Sequence, residues 1–144
     1  MSRTQLLWLH LSTALTALTG IVFAWMKYAM KSDDPFAVAN HPLQPHMLSA
    51  HVVLAPILTF VLGWTFANHI WPRIMIGDRR RRLTGLTAAL MIVPMIASGY
   101  LLQISTADAL RNAMAIAHWI TSAVFVIGYG AHLMEGRTPS SARR

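Results

Sequence analysis

The sequence predicts an all-α integral membrane protein, a four-helix bundle with its N-terminus and C-terminus both cytoplasmic. Three observations predict it: a shortage of charge, four long apolar stretches, and a lopsided placement of Lys and Arg. Only 12% of the 144 residues are charged and 55% are hydrophobic, with a mean hydropathy of +0.47. A soluble domain carries about a quarter charged residues. A length of this size fits one domain, residues 1–144.

Each apolar stretch reaches the roughly 20 helical residues that cross a bilayer. The first spans about Gln5–Tyr28, the second Met47–Trp71, the third Leu83–Leu102 and the fourth Leu110–Met134. The first is expected to be a retained helix: its apolar run exceeds a signal-peptide core, and no small-x-small cleavage site follows. Between the spans lie KSDDPFAVANHPLQPH, the arginine-rich PRIMIGDRRRR and a short QISTADA. The tail after Glu135, GRTPSSARR, is expected to be disordered. Neither an internal repeat nor a linker is legible.

Orientation follows from the basic residues. Arg3, Arg73, Arg79, Arg80, Arg81, Arg82, Arg137, Arg143 and Arg144 fall on one side, against Lys27, Lys31 and Arg111 on the other. The positive-inside rule places the first set in the cytoplasm. The net charge of +7 is thereby explained as topology beside anionic lipid. No soluble domain remains to meet nucleic acid. Trp8, Trp25, Trp71, Tyr28 and Tyr100 stand near span ends, as interfacial aromatics do. Gly20, Gly63, Gly85, Gly99, Gly128 and Gly130 lie inside spans, where small residues permit close helix approach or leave room for a flat cofactor. Pro56 and Pro94 are expected to kink the second and third spans.

The chemistry lies in the histidines. His10, His51, His69, His118 and His132 fall in or at the ends of spans one, two and four; His41 and His46 belong to the first connection and its approach to span two. Ionisable residues within a membrane usually face the bundle interior and mark function. By depth, His51 and His118 form an outer pair, while His10, His69 and His132 form an inner trio. On a helix, 14 residues miss whole turns by about 40° and rise about 21 Å, so His118 and His132 share a face but belong to different sites. Cysteine is absent, which excludes disulfides, thiolate metal sites and a CxxCH attachment. Asp33, Asp34, Asp78, Asp108 and Glu135 all lie outside the apolar spans. A zinc, calcium or di-iron centre therefore lacks its usual carboxylate or third ligand. Haem brings four equatorial nitrogens and needs only two axial ligands from facing helices. Two b-type haems are thus the cofactors this pattern favours, with Lys27, Lys31, Arg111 and the arginine cluster available to propionates.

Four spans with a histidine early in the first (HLSTALTALTG), one early in the second, and His-x13-His in the fourth (HWITSAVFVIGYGAH) resemble the membrane cytochrome b subunits of formate dehydrogenases and nickel–iron hydrogenases. The prokaryotic cytochrome b561 group is a related relative. The resemblance implies a di-haem electron-transfer subunit of the bacterial inner membrane, itself without substrate chemistry. Electrons would pass between a quinone and a periplasmic-side partner, a redox subunit or a c-type cytochrome. Carried over by position, His51 and His118 hold the outer haem, and His10 and His132 the inner one. Two departures stand out: the chain is short for such a subunit, and His69 competes with His10 opposite His132. His46 is a weaker rival to His51, and Met114 is expected to pack rather than ligate. The competing functions are a haem-free transporter or proton relay and a haem-free membrane anchor.

Overall fold

A computed structural model describes residues 1–30, 41–76 and 82–137, and the side chains of residues 136 and 137 are not described. Helix α1 (Arg3–Tyr28) starts where Ser2 caps it, its hydroxyl accepting from the Gln5 N–H at 3.1 Å. Such a cap satisfies one of the donors a helix start leaves unpaired. Helix α2 (Gln44–Thr65) is entered through a turn tied by His41, whose Nδ1 accepts from the Leu43 N–H at 3.2 Å. Pro45 follows in the first turn, where a missing N–H costs nothing.

At Thr65 the hydrogen-bond register widens into a π turn, Phe66–Ile70, before α3 (Trp71–Ile76) resumes α geometry. At this switch the Trp64 carbonyl accepts from Gln5 Nε2 at 3.2 Å and from Asn68 Nδ2 at 3.1 Å. The whole stretch Gln44–Ile76 is 33 residues long. Helix thus continues past the expected end at Trp71 as far as Ile76, into what the sequence reads as an arginine-rich loop. The π turn, which often marks functional positions, carries His69. Helices α4 (Arg82–Ile104) and α5 (Asp108–Arg137) follow. Asp108 opens α5 with a negative charge at the positive end of the helix dipole.

All of this is helix, with no strand among the described residues, and four helices are long and apolar enough to cross a membrane. Their exposed side chains agree: Phe60 and Val93 are each 73% exposed and Ile127 is 71% exposed. Surfaces this apolar are ordinary against lipid and aggregation-prone in water. A multi-pass membrane protein in contact with lipid is the result.

The chain divides into two compact units, Met1–His69 and Ile70–Arg144. In the first, α1 and α2 pack as an antiparallel hairpin: Gln5 meets Trp64 near one end, and Thr16 meets His51 near the other. In the second, α4 and α5 do the same, with Met95 meeting His118 and Thr84 meeting His132. The first unit buries Leu9, Ala24, Met26, Leu58, Val61 and Leu62; the second buries Ala88, Met95 and Phe125. Small polar residues are buried too: Ser12, Thr13, Thr16, Thr65 and Ser98. Without a hydrophobic drive between helices in lipid, such small residues let backbones approach. The expectations for Lys31, Asp33, Asp34, Asp78, Arg79, Arg80, Arg81, Arg143, Arg144 and the tail lie outside the described residues.

Candidate functional site

Three of the five span histidines rest in the same kind of clamp. In the first hairpin, His51 Nδ1 donates to the Thr16 carbonyl at 2.9 Å and stands 3.3 Å from Thr19 Oγ1. Its ring lies on Gly20, where an added Cβ would come 2.9 Å from His51 Cε1. In the second hairpin, His118 Nδ1 donates to the Met95 carbonyl at 3.0 Å, stands 3.3 Å from Ser98 Oγ, and lies on Gly99. The two clamps share one spacing along the neighbouring helix: carbonyl at i, hydroxyl at i+3, glycine at i+4. His132 repeats the hydroxyl and glycine: Thr84 Oγ1 is 3.3 Å from its Nδ1, and a Cβ on Gly85 would come 3.0 Å from its Cε1.

The chemical consequence concerns the tautomer. A carbonyl accepts only, so in His51 and His118 Nδ1 carries a proton, and in the neutral ring Nε2 then carries the lone pair. That is the form in which histidine ligates a metal, its second nitrogen held by a backbone or side-chain acceptor. The glycines allow the ring to lie against the neighbouring backbone, and a methyl at any of the three would force the imidazole to move.

His51, His118 and His132, all expected from the sequence, are half-buried and clamped as above. His10 is half-buried on α1. Since Gln5 meets Trp64, antiparallel pairing brings His10 level with the turn around Thr59. A groove lined by Thr59, Phe60, Gly63 and Trp64 opens there on α2. Its axial distance from the level of His51 is about 12 Å, whereas His69 is about 27 Å from His51 along α2 and the π turn. The spacing from His118 to His132 is about 21 Å. One candidate therefore falls short of that spacing and the other overshoots it. His46 is exposed in the first turns of α2, and His41 is engaged in the turn before it.

The in-span glycines separate into three kinds. Gly20, Gly85 and Gly99 lie under histidine rings. Gly128 packs on α4, where a Cβ would stand 3.4 Å from the Ala88 nitrogen. Gly63 and Gly130 face open space, with nothing among the described residues within 4 Å of an added Cβ. Of the last two kinds, Gly128 is a helix-packing residue, while Gly63 and Gly130 leave room beside the helix. Lys27, a candidate propionate partner, holds its ammonium over the rings of Phe23 and Tyr28, at 5.8 and 5.3 Å from their centroids. No group of three or more His, Cys, Asp or Glu converges among the described residues.

Sequence reasoning missed the clamp residues Thr16, Thr19, Thr84, Met95 and Ser98. One signal does stand in the chain: Thr-Gly or Ser-Gly occurs three times, and each instance underlies a histidine. The step from Gly85 to Gly99 also equals the step from His118 to His132. Comparison with known proteins adds no assignment: no family model, no curated protein and no solved structure matches the chain.

Proposed function

We propose that this protein is a membrane electron-transfer subunit holding two b haems by bis-histidine ligation. The observation that carries the reading is the pair of like clamps on His51 and His118, each holding Nδ1 against a backbone carbonyl, which would leave Nε2 as the atom to ligate. His51 and His118 would hold the first haem. The second haem takes His132 with His10, and His69 is the rival for that place. Gly63 and Gly130, which face open space, fit the flat side of a macrocycle.

Bound haem would supply one-electron exchange between ferric and ferrous iron. The chain's own work is to bind and orient. Thr16, Met95 and Thr84 hold the imidazole planes, and the glycines admit the rings close to the helix axis. The apolar helices keep water away. Following the family resemblance, a quinone site lies near the His132 haem, and a redox subunit or c-type cytochrome meets the opposite surface of a bacterial inner membrane.

A reduced-minus-oxidised spectrum with a pyridine haemochrome count on purified protein tests this. Two b haems per chain are expected, and none after haem-replete expression would sink the reading. His10→Ala and His69→Ala then compete: loss of the second haem only in His69→Ala transfers the ligand role to His69. A second reading has one observation in its favour. Buried hydroxyls of Thr13, Thr16 and Thr65 in the first hairpin have no hydrogen-bond partner among the described residues, an arrangement that suits a proton relay through water. Proton flux through proteoliposomes of haem-free protein would select it.

A further inference from the structure

Past the π turn, α3 turns a broad apolar surface outward. Trp71 and Ile74 are exposed, Met75 is 68% exposed and Ile76 79% exposed. At about 100° per residue these four side chains cover roughly 200° of the helix, and Arg73, also exposed, falls in the remaining arc. An apolar arc with a basic residue opposite is the pattern of a helix at the boundary between acyl chains and headgroups. Helix α4 opens in the same manner. Its first residue, Arg82, is exposed, and Leu83 beside it is 80% exposed. Five residues separate Ile76 from Arg82, so the two ends lie within about 21 Å. That reach is too short to cross a bilayer, and both ends stand at one membrane surface. By composition the five residues add three arginines against one aspartate to the local charge.

We propose that α3 and the start of α4 form a docking surface for anionic phospholipid, with Trp71, Met75, Ile76 and Leu83 against the acyl chains and Arg73 and Arg82 on the headgroup phosphates. Charge complementarity selects this occupant. A zwitterionic lipid brings its phosphate together with a cation of its own, whereas an anionic lipid leaves the phosphate to the protein. Each basic residue near an anionic surface is worth about fivefold in affinity. Arg73 is already engaged within the protein, and its guanidinium has five N–H donors to share. Neither haem nor histidine enters this surface.

The test is quenching of tryptophan fluorescence in full-length protein reconstituted into phosphatidylcholine bilayers that carry a small fraction of brominated lipid. Brominated phosphatidylglycerol is expected to quench more than the same fraction of brominated phosphatidylcholine. Trp71 stands in the surface while Trp8, Trp25, Trp64 and Trp119 stand elsewhere, so Trp71→Phe should remove most of the excess. Arg73→Gln is expected to lower the preference for phosphatidylglycerol about fivefold, and Arg73→Lys to restore most of it. Arg82→Gln carries the same test if Arg73→Gln does not accumulate. Equal quenching by the two lipids in the unaltered protein overturns the proposal. So does an excess that survives Trp71→Phe, or one indifferent to both Arg73→Gln and Arg82→Gln, since the lipid then sits elsewhere. An excess abolished by inorganic phosphate or a single-stranded oligonucleotide at constant ionic strength also overturns it, because the surface then recognises soluble anions. The haem reading is untouched by each of these outcomes.

Discussion

The two hairpins are alike at one end and different at the other. Next to the loop that closes each, a histidine on the second helix is clamped by carbonyl, hydroxyl and glycine of the first, at identical spacing. Moving 14 residues away from the loop on both helices of the second hairpin reaches Thr84, Gly85 and His132, a second clamp. The same movement in the first hairpin reaches Gln5, Leu6 and Thr65. There a glutamine amide bonds the Trp64 carbonyl, the Thr65 hydroxyl is buried without a partner among the described residues, and the helix widens into a π turn. One hairpin therefore has two histidine clamps and the other has one. For the proposed second haem, the difference teaches that a partner to His132 comes from outside this repeated motif, His10 on α1 or His69 in the π turn.

Mutations can break the likeness or sharpen the difference. The largest effect is expected from His51→Ala and His118→Ala, each of which should remove the same haem and leave one per chain by haemochrome count. Loss of different haems would dissolve the equivalence of the two clamps. Gly20→Val and Gly99→Val come next, because branched carbon would displace an imidazole already within about 3 Å of an added Cβ. Overpacking of this sort costs about 1–3 kcal/mol, read as a lower melting temperature in detergent together with weakened haem retention. Gly128→Ala should be milder, its nearest contact being 3.4 Å.

Gln5→Ala probes the end where the hairpins differ. It removes the bond to the Trp64 carbonyl and should cost about 1 kcal/mol in thermal stability, with the His51 site unchanged. The smallest effects belong to Thr19→Val and Ser98→Ala, well under about 1 kcal/mol, because the shorter bond from Nδ1 to the backbone carbonyl survives in each. A loss from either as large as that from Gly99→Val would make the hydroxyl, rather than the carbonyl, the main support of the ring.

Much of the fold is legible in the residues alone. Hydropathy and length expose the four helices, and most of their ends fall within a turn of the expected positions. The one sizeable extension, to Ile76, arises because WPRIMI resumes α geometry after a π turn that no periodicity announces. Histidine spacing on the last span is likewise a property of one helix, readable from 3.6 residues per turn. The clamps are not legible in this way. Each joins residues 19 to 48 positions apart in sequence, and the helix ridge that meets a given histidine depends on how two helices are rotated and slid.

By itself the sequence determined that this chain is helical, membrane-embedded and marked by histidines well separated along its spans, because these follow from side-chain solvation and from the geometry of a single helix. Only the tertiary structure decided which nitrogen of His51 and His118 meets a carbonyl and which glycines lie beneath rings. Those are facts of contact between helices, and contact is fixed by packing that no single helix contains.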